Sequence, residues 1–333
     1  MNNLLRFFLS IQLKHSKRLQ QVNGFTLIEL LVGLLLAFLV ITPLLTFMIS
    51  ILSTDQKEQA KANSEQEIQS AVDYIARDLQ QAVYIYDRTA LITNSNTVAA
   101  SSGIKNQIPP VKKAGVCDSS DTTVTCQPIL VFWKRKFIPN VITPSSTTTS
   151  KDDTFVYSLV AYYLIKDNNT TWSKAARIAR FEISDGVLAV SGSPNCNTTD
   201  YPNDTYIDTS HCPDSGFQRF NLNLPGAAGI TNKMNSWKTA SLAYTQTPVV
   251  LIDFVDQTAI ATDPTCPVGT LSKGSFMGFY ACIDVPNTTA QVFLRGNALA
   301  RLQSSNFDYS SNNQTYFPTA SVRVQGRGYL FTR

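Results

Sequence analysis

Glu29 is the chemical oddity of this chain, a carboxylate set near the start of an otherwise apolar run. Such an acid costs roughly 2.5–3.5 kcal/mol at a bilayer centre and less near the interface. It therefore either snorkels to headgroups or pairs with a cation. Six cysteines form the second group: Cys117, Cys126, Cys196, Cys212, Cys266 and Cys282. They include no Cys-x-x-Cys, and only His211 stands near them, so disulfides are favoured over a metal site. Spacing leaves the connectivity open; the expectation is three neighbour pairs, Cys117–Cys126, Cys196–Cys212 and Cys266–Cys282. His211, beside Cys212, reads as a surface histidine. The tight basic cluster Lys134-Arg135-Lys136 reads as a charged strand edge, with an anionic partner as the sharper alternative. Asp152-Asp153 reads as a solvated pair. No nucleophile elbow, phosphate-binding glycine loop or His-Glu-x-x-His occurs, so no catalytic residue, cofactor or metal is expected.

The elements that position these residues begin with the charge distribution. The chain has 333 residues and a formal net charge of +4, from 28 basic and 24 acidic residues. Residues 1–24 hold Arg6, Lys14, Lys17 and Arg18 and no acid, which leaves 24 basic against 24 acidic residues beyond them. A neutral remainder argues against a nucleic-acid binder. The apolar block Phe25–Leu52 has about 28 residues, roughly 42 Å as a helix, against a bilayer core of about 30 Å. It is long enough to span. Basic residues precede it and mixed charges (Asp55, Lys57, Glu58, Lys61) follow, which places residues 1–24 in the cytoplasm and the C-terminal region outside. An ordinary secretory signal is cut after a short apolar stretch. Here the small residue Gly24 stands before the run, and cleavage there leaves the whole run on the mature chain, starting at Phe25.

Gly24-Phe25-Thr26-Leu27-Ile28-Glu29-Leu30-Leu31 resembles the class III signal of type IV pilins and type II secretion pseudopilins. The resemblance implies cleavage between Gly24 and Phe25 by a prepilin peptidase, and N-methylation of Phe25. It also implies an assembly role for Glu29, pairing with the Phe25 amine of a neighbouring subunit. In low dielectric such a pair rewards correct axial register. The leader is longer than the shortest in that family. Pro43 stands inside the run, where a proline removes a helical hydrogen bond and is expected to kink or locally melt the helix.

Beyond Leu52 the helix pattern becomes amphipathic. Ile68, Val72, Ile75, Leu79 and Val83 form one stripe, while Asp73, Arg77, Asp78, Gln80 and Gln81 fill other faces. Residues 89–127 and 191–247 are polar and loop-like. Strands are expected at Pro128–Trp133, Phe155–Ile165, Val249–Val255, Phe276–Ile283, Ala290–Leu294 and Ser321–Phe331. Ala179–Ile183 and Val187–Val190 are expected to pair as a hairpin across Asp185-Gly186. Gly326-Arg327-Gly328 reads as a bulge or turn inside the last strand. The expected fold is α+β: a long N-terminal helix with membrane-anchored and amphipathic halves, packed on an antiparallel sheet with long loop insertions. Its parts are a leader (1–24), a membrane or filament-core helix (25–52), the amphipathic half (53–88) and an exported β-rich domain (89–333).

The helix end Arg77-Asp78-Leu79-Gln80-Gln81-Ala82 and the strands after it resemble J-type minor pseudopilins and W-type minor pilins, which is the source of the pilin-like fold. Gly278-Phe279-Tyr280-Ala281-Cys282 and Val292–Arg301 resemble the C-type pseudopilins of cyanobacterial hormogonium polysaccharide secretion. These resemblances imply a non-enzymatic minor pseudopilin. Its partners would be other pseudopilins, an inner-membrane assembly platform and exported polysaccharide, with a role in gliding. The alternatives are a protein type II secretion pseudopilin and a tip-located, sugar-binding minor pilin. For the last, Tyr201, Tyr206, Phe217, Phe220 and Trp237 are the residues able to stack on sugar rings.

Overall fold

The computed structural model describes residues 24–143, 150–189, 196, 204–328 and 330. Residues 1–23 of the expected leader, Val190, Tyr201 and Phe331 lie outside them. The chain divides into two compact units, Met1–Gln56 and Lys57–Arg333. Helix α1, Leu27–Gln80, contributes to both.

In the first unit α1 is apolar all round, and every large apolar side chain from Leu27 to Leu52 is exposed. Its helical assignment runs unbroken across Pro43, so the expected melting does not occur. Thr42 and Thr46 donate their hydroxyls to Phe38 O (2.8 Å) and Thr42 O (3.0 Å). Around the proline, then, the Thr side chains turn back to the helix's own carbonyls instead of presenting a bare hydroxyl.

In the second unit α1 continues to Gln80. The next segment is strand β1 (Ala82–Ile85), so the helix stops short of the expected 53–88 boundary and Val83 leaves its stripe. The reason is pairing: Val83, Tyr84 and Ile85 suit a strand, and β1 joins β2 (Thr125–Ile142) with Tyr84 opposite Trp133. The last-turn carbonyls are taken up by the chain. Gln80 O accepts from Arg327 N (3.0 Å) and Gln81 O from Arg135 N (3.3 Å). A Cβ on Gly326 would lie 2.4 Å from Ala82 O, and one on Gly328 2.3 Å from Val83 Cγ1. Gly326-Arg327-Gly328 therefore follows the last strand as a backbone-to-backbone closure on the helix end, where any side chain would collide.

Among the described residues two antiparallel sheets replace the single one expected. Strands β1 to β5, adding β3 (Asp152–Lys166), β4 (Ala176–Ser184) and β5 (Val249–Val255), form the first in sequence order. The second is β6 (Thr270–Lys273), β7 (Phe279–Asp284), β8 (Thr289–Arg295) and β9 (Thr319–Gln325). Ile68, Ala71, Val72, Ile75, Ala76 and Leu79 of α1 share one core with residues of both. The buried stripe is wide enough to touch both sheets. Leu79→Ala is expected to cost about 2–5 kcal/mol, read by denaturant unfolding of the full chain in detergent micelles. A loss well under 1 kcal/mol would place Leu79 outside the core.

The first sheet is buried on both faces, which explains the near-continuous apolar runs in β2 and β3. Phe132, Tyr162 and Ile178 face the helix-side core. Trp133, Tyr163 and Phe181 face a second core, closed by Leu91, Ile104 and Ile108 from one insertion and Phe217, Met234 and Trp237 from the other. Asp185-Gly186 does not close a hairpin, because β4 pairs on its free side with β5. Asp185 N instead donates to Tyr157 O, and Val187 N to His211 O, both at 2.9 Å.

Candidate functional site

The amino-terminal junction has a simple local geometry. Gly24 is exposed, and a Cβ added there meets nothing within 4 Å. Phe25 is 82% exposed. Thr26 precedes the first helical residue, and its carbonyl accepts from Leu30 N at 3.1 Å. Its hydroxyl accepts from Glu29 N (3.3 Å), while Glu29 Oε2 accepts from the Thr26 hydroxyl (3.3 Å) and from Thr26 N (3.5 Å). This is a capping box, Thr-x-x-Glu, which satisfies orphan donors at the helix start. The Thr-x-x-Glu spacing is itself a property of the sequence. Glu29 thus has a local partner in the single chain, through contacts long enough to be weak. The residues behind it form a helix long and apolar enough to cross a membrane, with a mean hydropathy of 2.6 over its most apolar window. One such helix near an amino terminus is compatible with a single-pass anchor.

The structure contains disulfides Cys117–Cys126, Cys196–Cys212 and Cys266–Cys282. The first ties the 89–124 insertion to the start of β2, and the third ties the segment before β6 to β7. Among the described residues no cluster of three metal-ligating side chains occurs. His211 Nδ1 lies 2.7 Å from Asp208 Oδ1. Hydrogen bonds from His211 and from Ser210 N hold Asp208 below the usual carboxylate range.

Lys134-Arg135-Lys136 is not at a strand edge but inside β2, a strand paired on both sides. Lys134 is only 7% exposed and binds Asp78 Oδ1 at 2.6 Å. Arg135 lies over the Phe155 ring, and Lys136 Nζ donates to Ser184 Oγ. Lys134 is thus built into the fold, while Arg135 and Lys136 stay half-exposed.

Asp78 is likewise not on a solvent face. It is 7% exposed, and it receives Arg180 Nε (2.7 Å) and the Tyr162 hydroxyl (2.7 Å) besides Lys134. Glu182 continues the cluster, accepting from Arg180 at 2.7 Å. Burial alone would raise the pKa of Asp78, but the hydrogen bond and charge of Arg180, with Lys134, outweigh it and hold the carboxyl low. The same balance lowers Glu182. One helical carboxylate thereby pins α1 to β2, β3 and β4. In the sequence its only signal is its place three residues after Ile75 and beside Leu79.

The aromatic residues picked out for sugar stacking are mostly core. Tyr206, Phe217 and Trp237 are buried, and Trp237 Nε1 donates to Gln218 O at 2.7 Å. Phe220 packs edge-on against Trp133 and Tyr157. Tyr206, Phe217 and Trp237 thus serve the core first, while Phe220 is half-buried. Comparison with protein-family models, curated proteins and solved structures finds no match to this chain.

Proposed function

We propose that the chain is a minor pseudopilin: a non-enzymatic subunit of a type IV pilus or type II secretion-like filament, held in the cytoplasmic membrane before assembly. One observation carries the reading. A helix apolar on every side follows directly on the exposed Gly24-Phe25 junction, with Glu29 the single charge in Phe25–Leu52. Such a surface needs lipid or other apolar helices around it. In the filament, neighbouring subunits would supply them.

The proposed sequence of events is assembly, not catalysis. Prepilin peptidase removes residues 1–24 and methylates Phe25, and the second unit stands on the far side of the membrane. The three disulfides support that placement, since such bonds persist in oxidising compartments. Glu29 then exchanges its weak contacts to Thr26 for the charged amine of a neighbour's Phe25. A charged partner in low dielectric outcompetes a long, neutral hydrogen bond. The likeness of Gly278–Cys282 and Val292–Arg301 to polysaccharide-secretion pseudopilins supports polysaccharide as the exported cargo.

Mass spectrometry of the chain purified from membranes is expected to find Phe25 as a methylated first residue. Glu29→Ala is expected to be processed normally but to fall by roughly ten-fold or more in sheared filaments. A different first residue, or wild-type incorporation of Glu29→Ala, would overturn the proposal.

A further inference from the structure

A groove of about 510 Å³ lies between the two insertions that cover the first sheet. It falls within the usual size range for ligand sites. Its polar lining consists mainly of Arg219, Lys233, Lys238, Asn96, Gln218 and Asn221, and among the described residues no acidic side chain lines it. The chain itself uses the oxygen ends of two of the amides. Asn96 Oδ1 accepts from Val98 N (3.2 Å) and Asn221 Oδ1 from Asn223 N (2.8 Å), which leaves both NH₂ groups as donors. Arg219 is held in place by Asp185 (2.5 Å) and Asp204 (3.0 Å). Lys233 and Lys238, both lining the groove, have no side-chain hydrogen-bond or ion-pair partner among the described residues. Arg219's charge is taken up by the two aspartates, so the uncompensated positive charge of the groove comes from Lys233 and Lys238, beside the free amide donors of Asn96 and Asn221. Its occupant must be rich in acceptors and negative.

Val98 and Leu224 add exposed or half-exposed apolar surface to the same walls. A small inorganic anion has no use for that surface, nor for amides spread along a groove. A sugar chain carrying a carboxylate on each ring uses all of them: hydroxyl and ring oxygens for the amides, carboxylates for the lysines, C–H faces for the apolar walls. We propose that this groove binds an acidic polysaccharide of the polyuronate kind. The site goes beyond the assembly reading and does not depend on it, because a chain that fails to join a filament still presents the groove.

The test is calorimetric titration of the full chain in detergent micelles with polygalacturonate, dextran sulfate and neutral dextran at low salt. Binding of polygalacturonate is expected, and Lys233→Ala/Lys238→Ala should weaken it roughly ten-fold. The control Lys105→Ala/Lys113→Ala removes the same charge outside the groove and should leave the affinity unchanged. Failure to bind polygalacturonate would overturn the proposal, as would equal binding of neutral dextran. Tighter binding of dextran sulfate, with equal losses in both double variants, would indicate diffuse polyanion attraction and also overturn it. Unchanged tryptophan fluorescence in each variant shows that the fold is intact.

Discussion

Gly24→Leu is expected to leave the protein in the membrane at its full precursor mass, with no mature form detectable by mass spectrometry or blotting. The force of this experiment lies in what the substitution does not disturb. Position 24 is exposed, and nothing stands within 4 Å of an added Cβ. The helix start is closed by Thr26 and Glu29, not by Gly24. Leucine there costs no packing and no hydrogen bond within the chain. A block in processing would thus report recognition by the peptidase and not misfolding. The expected effect is complete: precursor accumulates, filaments lack the subunit, and membrane insertion persists because the apolar run is untouched. Mature-sized protein from Gly24→Leu would remove the cleavage assignment, and with it the reading of Phe25 as a subunit's first residue.

Asp78→Ala is expected to destabilise the second unit by about 3–5 kcal/mol, because it leaves two covered cations, Lys134 and Arg180, sharing Glu182 as their remaining counter-ion. Lys134 is 7% exposed and Arg180 is largely covered, so neither regains full hydration when the carboxylate is lost. The Tyr162 hydroxyl loses its acceptor as well. Trp133 and Trp237, both buried, report unfolding by fluorescence in detergent micelles. The pH dependence carries a sign. The folded-state pKa of Asp78 is lowered, so its contribution is present above its unfolded value of about 3.9 and is lost as pH falls through the folded value. Glu182 acts in the same direction. Asp185 acts oppositely: burial raises its pKa despite Arg219, so it favours the fold as pH falls. Comparing Asp78→Asn with wild type isolates the Asp78 share, and the variant should show a shallower stability loss below about pH 4. A loss under 1 kcal/mol for Asp78→Ala would mean that water reaches the cluster.

The long apolar helix was legible in the sequence, because hydropathy and charge asymmetry are properties of one short contiguous segment. So was the α+β composition, and so were most strands: β5 lies where Val249–Val255 predicts it, and β7 and β8 lie within a few residues of expectation. Period and composition act through neighbours in the chain, and there they sufficed. The capping box was legible in principle too, since Thr26 and Glu29 are three residues apart.

Tertiary structure alone decided the features that depend on distant partners. Val83 continues a helical stripe in the sequence but pairs as a strand, because β2, some 50 residues on, offers an edge. Asp78 looks solvated until Lys134, Tyr162 and Arg180 arrive from three strands 56, 84 and 102 residues away. Lys134 looks like an edge charge until β1 closes that edge. Phe217 and Trp237, polar-loop aromatics by composition, become core once their loop folds over a sheet face that is itself apolar. In each case the local pattern named a residue's preference, and the burial of a remote surface overrode it. Non-local packing is worth several kcal/mol at such positions, more than the few tenths that separate local alternatives.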